Sequence, residues 1–183
     1  MKKLPRRFYD RETEIVAQEL LGMLLVRRSG DETRVGRIVE TEAYLGPHDL
    51  AAHSSKGRTP RTEVMFGPPG HAYVYLIYGM YHCMNVVTQA EGLASAVLLR
   101  ALEPVENIEG RTQGPGLLCR AMGIDRTLNR HDLLSDDFFV ARPEAEEPFE
   151  IVTRPRIGVD YAGEWAERPL RYYIAGNRYV SKK

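Results

Sequence analysis

The run His71-Ala-Tyr-Val-Tyr-Leu-Ile-Tyr-Gly-Met-Tyr-His-Cys-Met-Asn85 decides what kind of fold this chain adopts. Both halves are rich in aromatic and β-branched residues, and the run is interrupted once, at Tyr78-Gly79-Met80. The sequence therefore predicts two antiparallel strands, residues 71–77 and 81–88, joined in a hairpin with Tyr78 at its tip. Tyr73 and Tyr75 alternate with Val74 and Leu76, and a period of two sends the phenols to one face and the aliphatic side chains to the other. The default for such tyrosines is packing with a local hydrogen bond. Tyr78 differs, because an aromatic ring beside a glycine at a hairpin tip stands in solvent and has little reason to be there unless it meets a partner. Asn85 lies in an apolar strand, so its amide is either a structural hydrogen bonder or a polar group lining a pocket.

Upstream, Gly36-Arg-Ile-Val-Glu-Thr-Glu-Ala-Tyr-Leu-Gly-Pro47 runs an apolar strand directly into two carboxylates and an aromatic ahead of a turn. Residues 23–28 and 34–41 read as two strands joined across Ser29-Gly-Asp-Glu-Thr33. Before them, Asp10 is placed to cap a helix over 11–21, with Ile15, Val16, Leu20 and Leu21 as its apolar stripe and Gly22 as its stop. Downstream, a strand over 94–102 carries Arg100 toward Glu103-Pro104. Gly114-Pro115-Gly116 opens a helix to residue 122, and Gly123 ends it. Short strands are expected at 138–141, 149–153 and 171–174. No repeat, linker or low-complexity run divides the chain. The expectation is one α+β domain over residues 1–183, a curved antiparallel sheet flanked by helices with a protruding hairpin, and loose termini at 1–7 and 180–183.

With 183 residues the chain is long enough to bury a core without metal or disulfide support. Its two cysteines, Cys83 and Cys119, have no ligand spacing, so neither a zinc site nor a disulfide framework is indicated. No stretch reaches the roughly 20 apolar residues of a membrane span, and the charged N-terminus is not followed by an apolar run. These features lead to the expectation of a cytoplasmic protein. Lys plus Arg and Asp plus Glu balance at 25 each, which argues mildly against a polyanionic partner. The balance is uneven along the chain, however. Lys56, Arg58 and Arg61 sit in a basic loop, while residues 103–109 and 144–150 are acidic, and a phosphate backbone needs only one basic face.

Glu40 and Glu42 are two apart, so on a continuing strand they share a face with Thr41 opposite. Paired carboxylates suit acid-base chemistry, although strand-end glutamates are more often solvated. Arg100 reads as a structural ion-pair partner, and His53 after two alanines as a turn-packing histidine. A carboxylate, several aromatic faces, an exposed ring and a basic loop suit an enzyme acting on a base taken out of a duplex. A binding module using the same aromatics, and a hydrolase of free nucleosides, are the readings from other classes; the latter has no use for an exposed ring at a hairpin tip.

These residues closely resemble the alkyladenine (3-methyladenine) DNA glycosylases of the mammalian and bacterial type. The resemblance is carried by Gly36 to Pro47, Ala51-Ala-His53, Thr59-Pro-Arg61, Tyr73-Val-Tyr75, Ile77-Tyr-Gly-Met80, Met84-Asn85, Leu98-Leu-Arg-Ala-Leu-Glu-Pro104 and the segment from Arg156 to Ala166. It implies a monofunctional, monomeric enzyme of base excision repair, nucleoid-associated in a bacterium, that needs no metal or cofactor. Its partner would be double-stranded DNA containing damaged purines such as 3-methyladenine, hypoxanthine and ethenoadenine. Carried over by position, Glu42 would be the general base, Arg100 would hold the water or a phosphate, and the Ile157 carbonyl would be a further water ligand. The flipped base would stack between Tyr44 and His53 on one side and Tyr75 on the other, with Asn85 rejecting guanine's 2-amino group. Tyr78 would be the wedge left in the duplex, with Met80 beside it.

Overall fold

A strand of 13 residues, β3 (Glu32–Tyr44), organises the sheet in the computed structural model, which describes residues 1–183. Its first half pairs with β2 (Leu24–Ser29) across the two-residue turn Gly30-Asp31. The residues Glu40 to Glu42 pair on that same edge with β9 (Arg171–Ile174), and the opposite edge runs along β6 (Ser95–Glu106). Register shifts between Val35 and Gly36 and on both sides of Glu40 let one strand serve three partners, because each bulge turns the strand and re-aims its side chains. Gly36 sits at the first shift for a steric reason: a Cβ there would lie 2.9 Å from Leu102 Cδ1. The full order is β1-β7-β2-β3-β6-β5-β4, with β8 (Ile151–Arg154) joined through β9, and every pairing is antiparallel. Here β1 is Lys2–Lys3, β4 Ala72–Ile77, β5 Tyr81–Thr88 and β7 Phe138–Arg142.

Helices α2 (Thr13–Glu19) and α3 (Pro115–Met122) pack on this sheet, with Val16, Ala17, Leu20, Leu118 and Met122 in one core with Ile38, Leu99 and Leu102. Alternation along β3 sends Thr41 to this side, where its hydroxyl donates to the Ala17 carbonyl at 2.8 Å, and leaves Glu40 and Glu42 to the other face. The fold is thus a single α+β domain built on an antiparallel sheet, as the sequence predicts, and the sheet has nine strands.

The structure corrects several expectations. Asp10 does not cap α2; its N–H closes the preceding turn, α1 (Arg6–Tyr9), so the longer helix begins only at Thr13 and Ile15 turns to solvent. Strand β6 continues past residue 102 through Pro104, which is tolerated because it falls opposite the register shift at Gly36. The segments His53–Lys56, Glu63–Phe66 and Asp160–Glu167, for which the sequence pattern indicates no element, form 3-10 turns. The termini are not loose. Lys2 and Lys3 pair with β7, Leu4 and Val180 are buried, and the Ser181 N–H donates to Glu40. Pairing with β7 and the buried Leu4 hold the first residues, and the buried Val180 with the Ser181 bond to Glu40 holds the last.

The hairpin of β4 and β5 has Ile77 opposite Tyr81, and the Met80 N–H returns to the Ile77 carbonyl. Both residues inside that turn, Tyr78 and Gly79, have positive φ (53° and 65°), a conformation glycine takes freely and tyrosine rarely. Just below its tip the hairpin is braced by α3: a Cβ on Gly116 would lie 2.7 Å from the Tyr81 ring, so only glycine permits this approach.

Candidate active site

Where β3, β5 and β6 meet the 51–53 and 157–161 segments, a cavity of about 540 Å³ opens, lined among others by Glu42, Tyr44, His53, Tyr75, Asn85 and Arg100. A larger cleft of about 760 Å³, between α2 and residues 142–151, shares none of these residues.

Both glutamates are fully buried, against the expectation that strand-end carboxylates are solvated. Burial of a carboxylate is costly unless charged or polar donors replace water, and here each finds three. Glu42 accepts from Tyr44 Oη (3.0 Å) and Arg100 Nη1 (3.3 Å) on Oε1, and from the Ile157 N–H (2.7 Å) on Oε2. Glu40 accepts from Arg100 Nε (3.4 Å) and Arg171 Nη1 (3.1 Å) on Oε1, and from the Ser181 N–H (2.7 Å) on Oε2. Arg100 bridges the two acids, which agrees with its reading as an ion-pair partner. Ile157 enters through its N–H. Burial, then the Glu42 carboxylate beside it, pushes the Tyr44 phenol well above its ordinary range, so it stays protonated and donates to that carboxylate.

A second buried ion pair holds the wall behind Tyr44. Arg156 contacts Asp49 through both terminal guanidinium nitrogens, Nη1 at 2.6 Å and Nη2 at 2.9 Å, with both side chains inaccessible. Asp49 also accepts the Leu45 and Ala51 N–H groups, and Arg156 reaches the Ala43 carbonyl and lies 4.8 Å from the Tyr44 ring centroid. One pair therefore fixes Tyr44, the approach to His53 and the segment carrying Ile157.

On the opposite wall, His53 meets Tyr75 edge-on at 4.6 Å between centroids, and its Nδ1 lies 2.9 Å from Tyr73 Oη. Burial and then the Arg61 charge lower the imidazole from 6.5 to about 4, so the ring is neutral near pH 7. Arg61 stands 5.0 Å from the Tyr75 centroid. Asn85 donates its amide to the Tyr73 carbonyl at 3.1 Å and lines the cavity. Tyr78 and Met80 are 85% and 62% exposed, and Tyr78 reaches the cavity's mouth.

The structure thus brings Glu42, Tyr44, His53, Tyr75, Asn85, Arg100 and Ile157 to one cavity, with Tyr78 at the rim and Met80 next to it on the tip. Sequence reasoning missed Tyr73, Asp49, Arg156, Arg171 and Ser181. Asp49 was legible only as turn chemistry and Tyr73 only as a packing tyrosine, and Arg156, Arg171 and Ser181 carried no local signal because their partners lie far along the chain. No three His, Cys, Asp or Glu side chains cluster as metal ligands, and both site carboxylates are engaged by guanidinium groups. No helix is long and apolar enough to cross a membrane.

Comparison with known proteins agrees with this geometry. Residues 7–178 match the family model described as methylpurine-DNA glycosylase. A Legionella pneumophila (strain Corby) protein provisionally named a 3-methyladenine DNA glycosylase is 65% identical over 182 residues, covering 100% of both chains. A Myxococcus xanthus protein with the same provisional name is 57% identical over 185 residues, covering 100% of this chain and 95% of the relative. One from Anaeromyxobacter sp. (strain Fw109-5) is 58% identical, covering 98% and 93%. With nearly the whole chain matched and a buried carboxylate facing an aromatic cavity, the chain belongs to the methylpurine-DNA glycosylase family and is, as such, a DNA-repair hydrolase of N-glycosyl bonds.

Proposed function

We propose that this protein is a monofunctional, monomeric glycosylase that takes damaged purines, among them 3-methyladenine, hypoxanthine and ethenoadenine, out of double-stranded DNA and hydrolyses the bond to the sugar. The observation that carries the reading is Glu42. Three donors occupy three of the roughly four lone-pair positions of its carboxylate, which leaves one for a water in the cavity. As the C1′–N bond breaks, its electron pair leaves with the base. A C1′–O bond forms from the water, whose proton passes to Glu42, and the carboxylate offsets the positive charge developing on the sugar. Arg100 orients Glu42 and the water, and the Ile157 carbonyl is a further water ligand.

The flipped base stacks between Tyr44 and Tyr75, and His53, whose ring meets Tyr75 edge-on at 4.6 Å, flanks the edge of the base. Neutral His53 can accept a hydrogen bond from the Tyr73 hydroxyl at Nδ1, which leaves its Nε2–H to donate to the base edge. Asn85, fixed by its bond to Tyr73, meets the position of guanine's 2-amino group. Tyr78, supported by Met80, fills the gap left in the stack. No lysine lines the cavity, which favours direct hydrolysis over Schiff-base chemistry. The test is free-base release from duplexes that each carry one defined lesion, compared with release from the free nucleosides. Release from the duplexes is expected; folded protein that frees no base, or that acts as well on nucleosides, refutes the reading.

A further inference from the structure

The charges around the cavity cancel in pairs, with one exception. Arg100 is shared by Glu40 and Glu42, Arg171 is paired with Glu40, and Arg156 with Asp49. Arg61 has no carboxylate partner; its Nη2 reaches the Leu76 carbonyl at 3.4 Å, and its guanidinium also acts on the Tyr73 hydroxyl. Its guanidinium lies 5.0 Å from the Tyr75 centroid, yet Arg61 itself does not line the cavity, whose boundary there is the Tyr75 ring. A surplus positive charge therefore backs one wall of the slot. Burial and, after it, this charge lower the His53 imidazole to about 4 on the same wall.

We propose that Arg61, acting through the Tyr75 ring, sets the ratio in which the enzyme accepts uncharged and positively charged purines, favouring the uncharged ones. The inference rests on the proposed stacking of the flipped base against Tyr75. An aromatic face attracts a cation through its quadrupole, so a pocket walled by tyrosines would by itself favour a base made cationic by ring alkylation. A cation behind one of those faces opposes that attraction. A stacked base lies about 3.5 Å beyond the ring, which places the two charges about 8–9 Å apart. Like charges at that distance, in surroundings between bulk water and a protein surface, repel enough to change a rate roughly two- to twentyfold. An uncharged base such as hypoxanthine feels no such net repulsion. Arg61 is exposed, so the effect belongs toward the lower end of that range.

The measurement is the single-turnover excision rate, at saturating enzyme, of 7-methylguanine (cationic) and hypoxanthine (neutral) from the same duplex context. Wild type, Arg61→Met and Arg61→Lys are compared. Methionine keeps an apolar stem over the ring and removes the charge; lysine keeps the charge and loses the planar group. Arg61→Met should raise the 7-methylguanine to hypoxanthine ratio about two- to tenfold, while Arg61→Lys stays within twofold of wild type. Asn85 is the same in all three proteins, so its bias against guanine cancels. An unchanged ratio in Arg61→Met, or equal shifts in both variants, overturns the proposal, because contact packing or phosphate binding would alter both rates alike. Failure of the underlying reading is distinct: the wild-type protein would release neither base.

Discussion

Glu40 and Glu42 look alike in the sequence and have the same number of donors in the structure, yet only Glu42 faces the cavity. Glu42→Gln should keep lesion-DNA affinity within a few fold while single-turnover excision falls by roughly 10²-fold or more, the scale of a lost general base. Excision at the wild-type rate would remove Glu42 from that role. Glu40→Gln should do the opposite: excision per folded molecule persists, while stability drops by about 3–5 kcal/mol, because Arg171 and Arg100 then share an incompletely compensated buried site. Urea melts of both variants separate the two outcomes. At this scale the sequence was half legible. The two-residue spacing put both acids on one face, but the burial of Glu40 depends on Arg100, Arg171 and Ser181 and that of Glu42 on Arg100 and Ile157, and no local pattern points to these distant residues. Tyr73 was legible as a packing tyrosine, and it is buried; that its hydroxyl meets His53 was not.

Among the elements, the β4–β5 hairpin was the most readable, since alternation, aromatic content and a single glycine all indicate the same turn. Its bracing by α3 through Gly116 was not readable, because a close approach leaves no mark except the glycine itself. The mostly exposed, left-handed Tyr78 makes little contact that would stabilise the free protein. Tyr78→Ser should therefore leave the melting temperature unchanged, weaken lesion binding and slow excision from fully paired duplex. Opposite a gap, where little stacking remains to be broken, much of the loss should return. Equal impairment on both substrates, or a lower melting temperature, would make Tyr78 a packing residue. Helix α2 was the poorest reading, since the capping residue chosen for it already ended another turn.

For the molecule as a whole, a net charge of zero is compatible with a polyanionic substrate because the acidic runs gather elsewhere. Glu103, Glu146 and Glu147 line the 760 Å³ cleft, which has no residue in common with the active-site cavity. The cavity also leaves a signature in global stability. Unfolded chain takes up a proton on His53 below about pH 6.5, whereas the folded protein refuses it until about pH 4. Stability from this group is thus complete above 6.5 and declines as the pH falls to 4, by at most about 3 kcal/mol. In His53→Gln the unfolding free energy should drop less between pH 7 and pH 4 than in wild type. Parallel curves from urea titrations at pH 7, 5.5 and 4 would show that the imidazole is not shielded from its proton.

The partners of the two buried carboxylates come from both ends of the sequence: β3 supplies the acids early, and Ile157, Arg171 and Ser181 supply donors late. During synthesis at about 5–20 residues per second, Glu42 leaves the ribosome on the order of 10 s before the last of these residues is made. For that interval the growing chain carries its acids solvated and its aromatic wall unassembled. The cavity is therefore complete only once residue 181 has been made, and a nascent chain that has not reached it leaves both carboxylates without these donors.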